Sequence, residues 1–389
     1  MVRGASIAHR EARPPRAGNI YFALGKPRMM RHPPRVMSAP AARPDCTFAS
    51  DNTAGLAPEA WAALEQANRG PVPSYGDDEW TTRAKQLLAG VFERDCEVFF
   101  VFNGTAANAL ALAQLCRSHH SIICHECSHV DTDECSAPEF FSGGSKVIPV
   151  AGSGAKLASA GLTPVLLRNN GVHSPKPGAL SLTQATEWGT LYTPAELRVL
   201  ADLAKSRGLA VQMDGARFAN AAAALAARGL KPADLTWRAG VDVLCLGGTK
   251  NGMNTTEAVI FFDRDRARDF DYKVKQAGQL ASKARFAAAQ WCGMLEDGAW
   301  LRHAAHANAM AQKLADGLRP LPGVKLIVEP EANGVFAELP QKLASAVAAR
   351  GWQFHRFIGE HGYRFMCSWA TQPADVDRLL QDFRTAAAG

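Results

Sequence analysis

The stretch LCLGGTKNGMN, residues 244–254, ends an apolar run on two glycines and a lone lysine. Val241, Val243, Leu244 and Leu246 read as a buried strand, and Asn251, Gly252 and Asn254 as a loop. A lysine beside a buried pocket, Lys250 here, can serve as a nucleophilic amine. Thirty-six residues earlier, QMDGARF (212–218) ends a second apolar strand on Asp214. A carboxylate placed where burial is expected needs a cation or a hydrogen-bond donor. In FNGTAAN (102–108), Gly104 and Thr105 start a helix, where backbone N–H groups and the helix dipole face an anion such as a phosphate. CHECSH (124–129) leaves His129 at a strand end, where an imidazole stacks on a flat ring or moves a proton.

Each stretch alone has a plainer reading. Lys250 fits a surface loop, Asp214 fits a helix cap or a salt bridge to Arg217, and small turns before helices are common. Cys124, Cys127 and His129 suggest zinc, but a structural site needs a second ligand cluster. The only later cysteine nearby is Cys135, so metal is set aside. The four stretches together meet the requirements of pyridoxal phosphate. The lysine makes an imine, the carboxylate keeps the pyridine nitrogen protonated, and the turn binds the phosphate. The protonated ring then draws electrons from the amino-acid α-carbon. On this reading Gly247 and Gly248 let the backbone pass close to a flat cofactor, and Thr249 adds a hydroxyl to the phosphate.

The elements that must hold these groups alternate. Strands are expected at 96–102, 121–126, 146–150, 209–214, 241–248 and 257–263, the last pairing beside 241–248. Helices are expected at 58–68, 81–92, 103–116, 193–208 and 218–229, and one or two more within 268–295. Such alternation implies an α/β fold with a largely parallel sheet and helices on both faces. Ligands then lie at the carboxyl ends of the strands, where Asn103 to Thr105, His129, Asp214 and Lys250 fall. A smaller C-terminal α+β unit follows, with strands at 324–330, 334–340 and 363–369 and helices at 301–319, 341–350 and 373–387.

The ordered motifs resemble the low-specificity L-threonine aldolases, fold-type-I pyridoxal-phosphate enzymes of the β-eliminating lyase group. They are FASDN (48–52), YGDD (75–78), NGTAAN (103–108), a Ser-His followed by Glu134, MDGAR (213–217), GGTKNG (247–252), KQAGQLASK (275–283) and YRFMCSW (363–369). The resemblance implies a mainly parallel sheet of the seven-stranded type, and retro-aldol cleavage of L-threonine or L-allo-threonine to glycine and an aldehyde. L-phenylserine cleavage or another β-eliminating reaction is the alternative. It assigns the imine to Lys250, the ring nitrogen to Asp214, and ring stacking with a part in proton transfer to His129. Gly104 and Thr105 hold the phosphate. Ser50, Arg217 and Arg364 bind the substrate carboxylate, the arginines because a guanidinium fork matches it. Tyr75 lines the site and Lys283 offers the phosphate a cation, both from a neighbouring subunit, so a dimer or tetramer with interfacial sites is implied. The chain departs from the pattern with Asn52 in place of a threonine, with Gly-Gly-Thr before the lysine, and with Gln184-Ala185-Thr186-Glu187 where many members carry Glu-Asn-Thr-His. Together these departures read as a subgroup pattern that keeps the imine and ring-nitrogen partners, and they bear on the contacts to the substrate hydroxyl and hence on stereopreference.

Three domains are expected: a basic extension over 1–44, a large cofactor-binding domain over 45–320 that includes the N-terminal arm, and a small domain over 321–389. The net charge of +6 is uneven: residues 1–43 carry +8 and the remainder −2. The near-neutral body gives no support to nucleic-acid binding. The Pro-rich basic segment reads as disorder, or as translation begun upstream of Met37, in preference to a targeting peptide. No apolar run approaches the roughly 18 residues of a membrane span. Nine cysteines, an odd number without a signal peptide, indicate reduced thiols in the cytoplasm.

Overall fold

The computed structural model describes residues 47–168 and 171–388. The basic extension expected over 1–44 lies outside them. The described chain contains eleven strands: β1 Glu97–Val101, β2 His120–His125, β3 Lys146–Val150, β4 Lys176–Thr183, β5 Ala210–Gly215, β6 Val243–Gly247, β7 Glu257–Phe261, β8 Lys325–Leu326, β9 Gly334–Glu338, β10 His355–Ile358 and β11 Gly362–Met366.

The first seven form one sheet in the order β1-β7-β6-β5-β4-β2-β3, and the last four a second in the order β10-β11-β9-β8. Strands β3, β2, β4, β5 and β6 run parallel. β7 lies antiparallel to both β6 and β1, which leaves β1 pointing the same way as the parallel set. The carboxyl ends of β1, β2, β4, β5 and β6 therefore share one edge of the sheet, where ligands bind in such folds.

Both faces of this sheet are covered, so its central strands are continuous apolar runs. Side chains alternate between the two cores. Leu244 and Leu246 join Val211 and Met213 on one face. Val243 and Cys245 face the other way, against Ala107, Leu110 and Ala111 of the helix Gly104–Leu115. On β5, Gln212 and Asp214 alternate with Val211 and Met213, so both polar side chains turn toward that helix. A third core joins β9 and β11 to the helices Ala299–Leu318 and Pro373–Ala388, and it takes in Phe48. Phe48 is pinned there by two backbone hydrogen bonds, its N–H to Gln353 O at 3.0 Å and its O from Met366 N at 2.8 Å. The N-terminal arm, expected with the large unit, thus packs into the small one.

Two of the strands differ from expectation. β4 is an interior strand between β2 and β5, yet its sequence, KPGALSLT, carries Pro-Gly at its second and third positions and mixes small and polar residues, so periodicity does not reveal it. Conversely, the strand expected over 324–330 shrinks to Lys325–Leu326. The helical region 268–295, expected as one or two helices, forms two, Phe270–Gln276 and Arg285–Glu296, with Gly278 left-handed at φ +70° between them.

Candidate active site

A cavity of about 350 Å³ opens at the shared carboxyl edge. Gly104, Thr105, His129, Asp214, Thr249 and Lys250 all line it. Local sequence explains each placement. Asn103 caps the helix Gly104–Leu115, its side chain accepting from Ala106 N at 2.8 Å, which leaves the first-turn N–H groups facing the cavity. A Cβ built on Gly104 would meet nothing within 4 Å, so the space above this helix end is open. Asp214 ends β5 and is buried. Its Oδ1 accepts from Ala216 N at 2.9 Å and its Oδ2 from Asn108 Nδ2 at 2.9 Å. The plain expectation of a salt bridge to Arg217 is not met.

Lys250 lies in a single turn of 3₁₀ helix after β6, Thr249–Asn251. The glycines before it are also required by the protein's own packing, and Gly247 lines the cavity as well. A Cβ on Gly247 would lie 2.4 Å from Ala216 O, and one on Gly248 2.4 Å from Thr256 O. The crowding comes from the protein's own backbone. Glu257, which opens β7 opposite Gly247, accepts the Gly248 N–H at 2.6 Å. Burial pushes its carboxyl up to about 7, against the pull of the Thr249 hydroxyl, the Gly248 N–H and Lys250.

His129 starts a short helix after β2, and its Nδ1 lies 2.9 Å from Glu134 Oε1. That hydrogen bond raises the imidazole above the ordinary histidine range; burial opposes it and Asp214 adds to it. Burial in turn lifts the Glu134 carboxyl, although His129 and Asn108 both favour its charged form.

The expected carboxylate binders are placed unequally. Arg217 donates from Nε to Asp51 Oδ2 at 2.7 Å and from one terminal nitrogen to Oδ1 at 2.9 Å, so one edge of its guanidinium is already occupied. Burial works against the charge on each partner, and each holds the other ionised. Ser50 caps the turn Asp51–Thr53, accepting from Asn52 N at 3.2 Å. Arg364, on β11, lies over the Phe357 ring at 4.5 Å, and its buried Nε has no hydrogen-bond partner. Burial and the neighbouring Arg217 charge both lower its proton affinity. A cation in that state is ready for an anionic guest.

Tyr75 and Lys283 are not in this chain's cavity. Tyr75 is half-exposed and left-handed at φ 60°, its N–H donates to Ser282 O at 3.0 Å, and Lys275 Nζ lies 4.9 Å from its ring centroid. Sequence alone assigned no role to Asp51, Asn108, Gln212 or Glu257, and named Glu187 only within a departure from the family pattern. Glu187 follows β4 and feels Arg217, Asp214, Lys250 and His129; burial raises its carboxyl, and Arg217 opposes that most. No disulfide links the described cysteines, and among the described residues no group of three or more His, Cys, Asp or Glu could hold a metal.

The donors present fit pyridoxal phosphate: a primary amine, a buried carboxylate for a protonated ring nitrogen, and an open helix N-terminus with a hydroxyl for a phosphate. Sheet order and site together define a fold-type-I pyridoxal-phosphate enzyme. The model of the Beta-eliminating lyase family matches residues 47–341, and the chain belongs to that family. It is 56% identical over 337 residues to a low specificity L-threonine aldolase of a Pseudomonas species, spanning 87% of this chain and 96% of the relative. The low specificity L-threonine aldolase of Pseudomonas aeruginosa gives the same identity and coverage. The solved structure of a Leishmania major threonine aldolase superposes with a TM-score of 0.81 at 26% identity, covering 88% of this chain and 99% of that one.

Proposed function

We propose that this chain cleaves β-hydroxy-α-amino acids of the L-threonine and L-allo-threonine type to glycine and an aldehyde. The reading rests above all on one observation: Lys250, Asp214, His129 and the Gly104–Thr105 turn line a single cavity. Lys250 carries the cofactor, Asp214 holds its ring nitrogen, His129 covers its ring, and Gly104, Thr105 and Thr249 take the phosphate. Bound there, pyridoxal phosphate supplies a sink for the electron pair released when a bond to the substrate α-carbon breaks.

The chain's own groups decide which bond that is. Arg364, whose Nε lacks a partner, takes the substrate carboxylate, with the Ser50 hydroxyl beside it. Arg217 contributes by holding Asp51 and through its remaining N–H groups. Fixing the carboxylate fixes rotation about the α-carbon, so the Cα–Cβ bond is the one aligned for cleavage. Glu134 accepts from His129 Nδ1–H, and Nε2, which lies 3.4 Å from the exposed Asp133 carboxylate, is the nitrogen that takes the β-hydroxyl proton. Glu187, at the same edge, faces the hydroxyl side.

Tyr75 and Lys283, adjacent through the Tyr75–Ser282 hydrogen bond and outside this chain's cavity, complete the site of a second copy in a homo-oligomer. The chain is read as a large unit over 45–320 and a small one over 321–389, with Phe48 and the end of the helix Ala299–Leu318 packed into the small unit's core. No described helix is long and apolar enough to cross a membrane; a cytoplasmic location is proposed from the described cysteines, none of which is in a disulfide. Incubation with L-threonine, L-allo-threonine and phenylserine, with products identified, tests the reading. Glycine and an aldehyde in equal amounts are expected. Formation of a keto acid instead would indicate elimination or transamination.

A further inference from the structure

Asn108 lies one turn into the helix Gly104–Leu115 and is buried. Its Nδ2 donates to Glu134 Oε1 at 2.8 Å and to Asp214 Oδ2 at 2.9 Å. One amide group thus serves both the carboxylate behind His129 and the carboxylate assigned to the ring nitrogen. Behind Asn108 stands Gln212. Its Nε2 donates to Asn108 Oδ1 at 2.9 Å and reaches Cys245 Sγ at 3.4 Å, and its Oε1 accepts from Ser181 Oγ at 2.6 Å. Gln212 and Ser181 are cross-strand neighbours on β5 and β4, both buried, and neither lines the cavity.

The donor and acceptor roles in this chain are forced. Two carboxylates can only accept, so the group between them must be the NH₂ of Asn108. Asn108 Oδ1 must then face Gln212, which must present its own NH₂. That leaves Gln212 Oε1 for the Ser181 hydroxyl. Each link removes a choice from the next, and a buried network with every link made holds one arrangement. The other charges facing it are Asp133 and Glu187 near His129, Arg217 near Asp214, and Lys250 across the cavity.

We propose that Gln212 is a positioning residue for the reaction: through Asn108 it ties Glu134 to Asp214 and so couples the proton-transfer group His129 to the carboxylate at the cofactor ring. This rests on the reading that Asp214 holds the ring nitrogen and His129 moves the proton. Without Gln212 the Asn108 amide is free to turn. Glu134 and Asp214 then each lose a donor, and their less neutralised charges hold protons on their partners more tightly. Two transitions should therefore move together, the acid limb of kcat/KM and the pH-dependent visible spectrum of the bound cofactor.

Gln212→Met tests this in the holoenzyme, with wild type alongside. We expect kcat/KM to fall roughly 10- to 100-fold. The acid limb and the spectral transition should both move to higher pH, by about half a unit or more, with the circular dichroism spectrum retained. Ser181→Ala removes only the outermost hydrogen bond and should displace both transitions in the same direction by less, so it serves if Gln212→Met does not fold. The proposal is overturned if kcat/KM falls while both transitions stay in place, or if only one moves. The spectral titration needs no turnover. Failure of the aldolase reading would show in the wild type's products; failure of the coupling would show in the variant's spectrum.

Discussion

Arg217 and Asp51, 166 residues apart in sequence, form a two-point ion pair with N–O distances of 2.7 and 2.9 Å. Asp51 is 2% exposed and also accepts from Asn333 Nδ2 at 3.1 Å. The pair joins the segment after Phe48, which packs in the small core, to the end of β5 in the large sheet.

Breaking this pair from one side should cost more than removing it whole. Arg217→Met leaves a buried, uncompensated carboxylate and should destabilise the protein by about 3–5 kcal/mol. Adding Asp51→Asn to the same chain should recover a large part of that loss. Urea melts of the two variants measure this; equal stability of single and double variants would show that Asp51 finds another partner.

Arg364 should behave differently, because its fork is not filled by the protein. Arg364→Ala should raise KM for L-threonine roughly 10- to 100-fold, the loss of a charge-assisted hydrogen bond, with a smaller fall in kcat. Arg364→Lys should recover part of it. Steady-state kinetics with an unchanged melting temperature would separate this from a folding defect. An unaltered KM would remove Arg364 from the substrate.

The Glu134–His129 contact sets a pH dependence. Glu134 raises the imidazole above the ordinary value of about 6.5, so activity that needs neutral Nε2 should fall away on the acid side above that pH. Glu134→Gln can still accept from Nδ1–H but carries no charge. His129 then protonates less readily, and the acid limb should move to lower pH. A limb that stayed in place in Glu134→Gln would mean that a group other than His129 takes the proton.

The groups most legible in the sequence were those whose chemistry clashes with their surroundings. Asp214 and Lys250 stand out as charges at the ends of apolar runs, and β5 and β6 are uniform enough to read as central strands. Gln212 and Asn108 carry the same kind of signal, since each is polar within an apolar element. Their partners could not be read, because pairing depends on which strand and helix faces meet. Arg217 shows the limit: the family resemblance implied a substrate contact and its place beside Asp214 suggested a salt bridge there, and only the fold brings Asp51 to it. β4 escaped because an interior strand needs apolar neighbours more than apolar periodicity, and KPGALSLT borrows its burial from β2 and β5.

The role of Lys250 decides the rest. Lys250→Ala, purified with pyridoxal phosphate present, should lose the visible absorbance of lysine-bound cofactor and at least ~10³-fold of the L-threonine cleavage rate, while its circular dichroism stays that of wild type. A Lys250→Ala protein with wild-type absorbance and wild-type rate would show that the amine lies elsewhere and that this cavity is not where the chemistry happens.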